Sequence, residues 1–300
     1  YKMFDKFIVQ PVFNLLELIM AVLPGHNLGI AIIIFTLLVR LALWPILKKQ
    51  LHQASLIKKL QPQLKAIKAQ AKGDKQKQAR LQMELYKEYG IKPATTILTL
   101  IIQIPIFIGL YQALLRLIKD PNMLVDFAYD PIRNLPYVQG LAKDIGQFSH
   151  DLVGLIDLSR AGIGGKGIYL PAILLALVAG YAQYKQSKLM VTDAKDAKKL
   201  SEIMKSAASG TQVDQSDVNG AIGQMMVKVL PVMTVVFSIT IPSALTLYIV
   251  TTTVVGYFQQ KHVLDQDEEE MTEEADLPDE KPVKKQPKPK KNKPKKKKRK

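Results

Sequence analysis

The stretch Leu28–Leu47, LGIAIIIFTLLVRLALWPIL, decides how the rest of the chain is read. Its twenty residues carry one charge, Arg40, amid side chains that are otherwise almost all apolar. A bilayer core of about 30 Å takes about 20 such residues as helix. A helix of a soluble protein would show an apolar stripe and a polar face instead. Three more blocks share this character: Ala94–Leu115, Ile168–Tyr184 and Val229–Gln260. They reconcile 48% hydrophobic residues with a net charge of +16 in 300 residues, because the charges lie between the blocks.

Val229–Gln260 is 32 residues long, about 48 Å as helix, too long for one span. Ile241-Pro242-Ser243 lies near its middle, and proline removes a donor and disfavours helix at the preceding residue. Two short spans joined by a tight turn follow, with one kinked helix as the alternative. The expected fold class is an all-α membrane protein with a five-transmembrane-helix core, a cytoplasmic helical hairpin and an external interfacial helix. In chain order we expect the interfacial helix over 1–27 and spans over 28–48, 94–117, 168–188, 225–241 and 242–262. The hairpin falls at 49–93, an external loop at 118–167 and a cytoplasmic loop at 189–224. A disordered acidic-then-basic cytoplasmic tail is expected over 263–300.

Charge sets the orientation. Lys48–Lys92 holds twelve Lys/Arg against three acids, whereas Ile118–Gly167 holds five against six. Excess Lys/Arg marks the cytoplasmic side, so the N-terminus is expected outside and the C-terminus in the cytoplasm. Tyr1–Leu23 is apolar but interrupted by Lys2, Asp5, Lys6, Asn14 and Glu17, which suits a helix lying in the interface. Leu51, Leu56, Leu60, Leu64 and Ile67 form a rough helical stripe that Lys72-Gly73-Asp74 breaks, hence the hairpin. In the tail, 265–280 carries ten acids and 281–300 thirteen basic residues. Such blocks often bind polyanions; ribosomal RNA and anionic lipids are the expected partners, and DNA is not. The chain begins at Tyr1 rather than Met, so we expect further residues upstream.

Enzymatic classes find little support. There is no cysteine, and the four histidines show no ligand spacing. No nucleotide-binding G-x-x-x-x-G-K-[ST] occurs, and the four apolar blocks contain no Asp, Glu or His. Intramembrane proteolysis or proton coupling normally needs such groups. No cofactor or metal is expected, and no enzyme.

Arg40 is the anomaly. It is expected about 12 Å from the cytoplasmic end of its span. Arginine at a helix centre in lipid costs about 2.5 to more than about 10 kcal/mol, depending on how it is measured. Three readings are open: the side chain snorkels to phosphates, it pairs with a partner's acid, or it faces a wet cavity. Thr36 lies one turn before it, Gln103 interrupts the second span, and Ser243, Thr246 and Thr253 share a helical face. Together these imply a polar-sided interior.

The same residues carry a resemblance. Leu28–Arg40 followed by Trp44-Pro45, then Leu60-Gln61-Pro62 with Gly73-Asp74-Lys75-Gln76, are similar to the arginine-bearing helix and hairpin of the YidC/Oxa/Alb membrane insertases. Ile102-Gln103-Ile104-Pro105-Ile106-Phe107, Asp157-Leu158-Ser159 with Tyr169-Leu170-Pro171, and Pro242–Tyr248 resemble three further motifs of that family. Ala244 stands where the family usually has glycine, and Ile249 where many members have a second tyrosine. The resemblance covers about 1–262 and favours the short type without a large external domain. It implies a hydrophilic groove open to the cytosol and to lipid. Nascent membrane proteins, the ribosome and the Sec translocon are the implied partners. Arg40, Thr36, Gln103, Ser243, Thr246 and Tyr248 would line the groove, and Phe107 would mark a hydrophobic slide. The runner-up is a small-anion transporter or channel with Arg40 as its selectivity charge; a scaffold for membrane complexes is the third.

Overall fold

The computed structural model describes residues 2–71, 73–92, 94–165, 167–190, 200–209 and 215–276. Among these, the chain opens with α1 (Lys2–Phe4), a π-helical turn (Asp5–Val9) and α2 (Gln10–Val22). There follow α3 (Leu28–Ala42), α4 (Trp44–Lys59), α5 (Gln61–Ala71), α6 (Lys75–Glu88) and α7 (Ala94–Lys119). The next segment holds short helices α8 (Met123–Asp126), α9 (Asp130–Arg133) and α10 (Pro136–Lys143), then two small hairpins. These pair β1 (Asp151–Leu152) with β2 (Ile156–Asp157) and β3 (Ile163–Gly164) with β4 (Gly167–Ile168), both antiparallel. Four more helices complete the order: α11 (Leu170–Met190), α12 (Leu200–Ala208), α13 (Gln215–Thr240) and α14 (Ser243–Asp276).

Several elements differ from the sequence reading. The first apolar block is not one helix over 28–48. The Asn27 side chain caps α3 by accepting from the Ile30 amide at 3.1 Å. α3 then stops at Ala42, and α4 leaves at an angle of 66°. Pro45, the second residue of α4, is suited to start a helix rather than to continue one. Fifteen residues give α3 about 22 Å, so Arg40 lies in its last turn, nearer the end than 12 Å.

The segment 49–93 is not a simple hairpin. α5 and α6 pair across Gly73, whose φ of 90° suits only glycine, with Asp74 capping α6. α4 is a separate helix that packs on α14 and α7. At the other end of the chain, α14 runs on to Asp276, so 263–276 is helical rather than disordered. Asp267 is nearly buried there, close to His52 at 2.8 Å and with its carbonyl accepting from Lys59 at 2.8 Å. Those contacts hold an acidic segment that composition alone would leave loose. The basic run at 281–300 lies outside the described residues.

By length and composition, two helical stretches among the described residues can cross a bilayer, Ile101–Lys119 and Gly223–Thr240, or three if the bent α3–α4 pair counts as one. α11 is less apolar toward its end, where Gln183, Lys185 and Gln186 fall. It packs between α13 and α14 through buried Ala172, Ala176, Ala179 and Gly180. A side chain at Gly180 would collide with Val235, so small residues set this close approach.

The turn between α13 and α14 consists of Ile241 and Pro242. It is clasped by the segment that precedes α11. The Ser243 amide and hydroxyl both donate to the Arg160 carbonyl, at 2.8 and 2.6 Å, and the Ala244 amide donates to Leu158 at 3.0 Å. These bonds satisfy amides that a helix start leaves open.

α2 packs along α3 and α7 with Phe13, Leu16 and Met20 inside the core and Leu15, Leu18 and Val22 exposed. Asn14 ties it to the segment above: its Nδ2 donates to Phe127 at 3.1 Å and its Oδ1 accepts from the Tyr129 amide at 2.6 Å. One turn on, Glu17 is fully buried, and neither carboxylate oxygen has a partner among the described residues. Tyr137, stacked on His26 at 3.9 Å, also leaves its hydroxyl unpartnered, and Arg133 is the cation that acts on Glu17.

Burial lifts the Glu17 carboxyl from its ordinary 4.5 to about 8, against a weaker pull downward from Arg133. The Tyr137 phenol is pushed up to about 12 by burial and by Glu17. The folded protein therefore holds the Glu17 proton where the unfolded chain releases it. Stability must fall as pH rises from about 4.5 to about 8, then level off. The full loss is a few kcal/mol, at about 1.4 kcal/mol per factor of ten in proton affinity. Thermal unfolding in detergent should show that slope for the native chain and a flatter one for Glu17→Gln. Equal slopes would show that Glu17 is not the group responsible.

Candidate functional site

The site is built around Arg40. From the last turn of α3 its side chain reaches across to α14. Nη2 donates to the Thr252 carbonyl at 2.7 Å, Nη1 to Gln259 Oε1 at 3.2 Å, and Nε to Thr252 Oγ1 at 3.4 Å. Between those partners lies Gly256. A Cβ there would stand 3.0 Å from Arg40 Nη2 and 2.5 Å from Gln186 Nε2 of α11. The guanidinium thus occupies the junction of three helices, in space that Gly256 leaves free.

Every acceptor is neutral. Among the described residues no carboxylate pairs with Arg40. The side chain is half-buried and keeps its full positive charge. The chain positions the group but, among the described residues, does not neutralise it. Thr252, Gly256 and Gln259 follow Tyr248 at spacings of four, four and three, so they share one face of α14. That spacing was visible in the sequence, but nothing there said which face Arg40 would meet. Gln186 carried no local signal.

Other expected groove residues fall elsewhere. Thr36 is buried, and its hydroxyl donates back to the Ile32 carbonyl at 2.6 Å. Ser243 and Thr246 are both buried; they bond to Arg160 and, at 3.0 Å, to the Ser238 carbonyl. Thr253 donates to Ile249 at 2.7 Å. These hydroxyls are used on backbone carbonyls inside the packing rather than presented to an open surface. In apolar surroundings a helical Ser or Thr readily bonds a carbonyl one turn back. Periodicity put three of them on one face but could not tell a packed face from an open one.

Gln103 and Tyr248 do come together: Gln103 Nε2 donates to the Tyr248 hydroxyl at 2.7 Å, one helical turn along α14 from Thr252. Phe107 lies between Tyr111 and Tyr248, with ring centroids 6.3 and 6.1 Å away. It is half-buried; the open apolar wall beside it is made by Ile101, Ile104 and Ile108 of α7. In the lysine-rich segment after α3, Lys58 donates to the Leu189 carbonyl at 3.2 Å, so α4 is tied to both α11 and α14. A cleft of about 350 Å³ lined by Phe4, Asp5, Ile108, Gln112 and Arg116 lies further along α7, on the side of the Arg116–Asp5 pair. Among the described residues no three His, Cys, Asp or Glu side chains cluster as metal ligands would.

Comparison with known proteins places these features in a wider set. The family model described as 60Kd inner membrane protein matches residues 19–270. The membrane protein insertase YidC of Oleidesulfovibrio alaskensis is 38% identical over 133 residues, which is 44% of this chain and 22% of that protein. The membrane protein insertase MisCA of Bacillus subtilis is 28% identical over 248 residues, 81% of this chain and 72% of that protein. The membrane protein insertase YidC of Nitratidesulfovibrio vulgaris strain DP4 is 32% identical over 183 residues, 61% of this chain and 29% of that protein. The chain thus spans less than a third of the length of two of these relatives and most of the third.

The contacts at Gly256 make a direct test. The atoms crowded by a new Cβ, Gln186 Nε2 and the two Arg40 Nη atoms, are ends of long side chains that can shift, so Gly256→Ala should fold, at a cost of no more than about 1–3 kcal/mol. Gly256→Leu should displace the Arg40 guanidinium from Thr252. Modification of Arg40 by phenylglyoxal, followed by mass spectrometry, should then be several-fold faster than in the native chain. An unchanged rate would mean that Gly256 does not shape the site.

Proposed function

The chain belongs to the 60Kd inner membrane protein family, the YidC/Oxa/Alb group, and from that premise we propose that it is a membrane protein insertase. It takes nascent membrane proteins into a hydrophilic groove open to the cytosol and releases their apolar segments into the bilayer. It does so without enzymatic chemistry, alone or beside the Sec translocon. The relatives bear the name insertase, so a small-anion transporter is set aside. The reading includes a bacterial plasma membrane location, five spans with α3, α7, α11, α13 and α14, an external N-terminus and a cytoplasmic C-terminus.

One observation carries the proposal. Arg40 is held in place by three neutral acceptors and, among the described residues, neutralised by none. A fixed, unneutralised cation near the end of a helix offers a temporary partner to an acidic or hydrated segment of a guest. Hydrogen bonds to charged groups contribute about 1.5–3 kcal/mol, enough to hold such a segment and weak enough to let it go. The neighbouring wall of α7 isoleucines, reached past Gln103, Tyr248 and Phe107, gives the guest's apolar segment a surface to follow into lipid. Basic residues of α4–α6 and of the C-terminal run supply charge for ribosome or anionic-lipid contact.

Insertion into proteoliposomes during translation tests the reading. With Arg40→Ala, insertion of a guest with acidic external residues should fall about tenfold, the size of about 1.4 kcal/mol. A matched guest without acids should insert as before. Arg40→Lys keeps the charge but not the planar fork and should fall between. Equal insertion of the acidic guest by Arg40→Ala and the native chain would rule out charge docking.

A further inference from the structure

The two small hairpins after α10 carry an unusual surface. Their bases are firmly fixed. Leu152 of β1 lies against Gly29 at the start of α3, where an added Cβ would come within 2.5 Å of its Cδ1. Leu158 is fully buried. The Tyr169 hydroxyl accepts from the Asp157 amide at 2.8 Å. Gly162 sits against Ile173 of α11 and Ile239 of α13, and Ala161 bridges to Pro242.

Other side chains of the hairpins are the reverse. In the turn of the first, Leu155 is 77% exposed and Val153 61%; in the second, the cross-strand pair Ile163 and Ile168 is 53% and 76% exposed. The Leu155 amide closes the first turn on the Leu152 carbonyl at 2.9 Å, and Val153 takes φ 50° within it. A β-branched residue seldom adopts that conformation, which glycine or asparagine would fill without strain. An apolar side chain therefore stands at a tight turn where water and backbone both favour a polar or small one. Lys166 is the one charge in 153–155 and 163–168, and it lies outside the described residues. Charges at the hairpin bases are kept by the fold: Arg160 stacks on the Tyr169 ring at 4.2 Å.

We infer that these side chains form a lipid-contact surface seated in the outer leaflet, Ile163 and Ile168 at the outer ends of α11 and α13 and Val153 and Leu155 at that of α3. The occupant follows from continuity. Leu170 and Leu174 of α11 and Val236 and Phe237 of α13, all exposed, extend the apolar surface of Ile163 and Ile168 along the helices. The second hairpin leads into α11 and lies against Ile239 of α13, and the first lies against the start of α3, so the leaflet that surrounds these helix ends also reaches the hairpins. The inference rests on the membrane orientation proposed above. It assigns the hairpins a role as an interfacial footing that fixes the depth of the helix ends, distinct from any contact with guests.

The chain has no cysteine, so single cysteines can be placed in the full protein. Leu155→Cys and Ile168→Cys report on the two hairpins, Val232→Cys on the exposed flank of α13, and Lys143→Cys on the outer polar surface. Each is labelled with an environment-sensitive fluorophore and reconstituted in vesicles with lipids spin-labelled near the glycerol or deep in the acyl chain. Probes on Leu155→Cys and Ile168→Cys should be blue-shifted and quenched most by the shallow label. Val232→Cys should be quenched most by the deep label, and Lys143→Cys by neither. Hairpin probes that emit as in water, with Val232→Cys still quenched, would overturn the inference and leave the membrane reading intact. Blue-shifted hairpin probes that no lipid label quenches would mean that protein covers the hairpins, and would overturn it too. If Val232→Cys is also in water, the orientation itself fails and the inference with it.

Discussion

The guanidinium of Arg40 is the point on which the packing of α3 and α14 turns. A group that stays charged at any ordinary pH must have its donors satisfied wherever it is placed. α14 answers with one backbone carbonyl and two side-chain oxygens. Those bonds fix the distance between α3 and α14, and Gly256 leaves space that the ends of Arg40 and of Gln186 of α11 both approach. The bend after Ala42 then turns α4 away, to be strapped to α14 by His52 and Lys59. What the arrangement omits is a carboxylate. An ion pair here would quench the charge; amide and carbonyl oxygens leave it available.

The segment between α7 and α11 follows a different rule. It folds over α2 and is closed by Asn14, buried leucines and a carboxyl that burial keeps protonated. Polar groups at the turn before α14 are used up in backbone stitching, as at Ser243 and Thr246. Under the orientation proposed above, the polar, charged end faces the cytosol and the clasped, apolar end faces outward, the asymmetry that a groove open on one side requires.

Much of this could be read from residues. Pro242 ends one helix and begins another because its missing donor acts locally. Gly73-Asp74 turns the hairpin for equally local reasons. Arg40 stood out because a lone charge in an apolar run has few explanations. The rest depended on contacts distant in sequence. The acidic stretch after Lys261 looks disordered by composition, yet Asp267 is held by residues more than 200 positions earlier. Thr36, Ser243, Thr246 and Thr253 read as groove-lining because spacing shows which residues share a face, not what that face meets. Gln186 and Gly256 matter only through Arg40, across helices, and no pattern within either helix marks them.

The central claim is that the Arg40 site opens to the cytosol and is closed outside. In this cysteine-free chain, a single cysteine replacing Gln259 would sit beside the guanidinium. A membrane-impermeant maleimide should label it in inverted vesicles, with the cytoplasmic side out, and leave it unlabelled in right-side-out vesicles. Labelling from the external side, or from neither, would contradict the account.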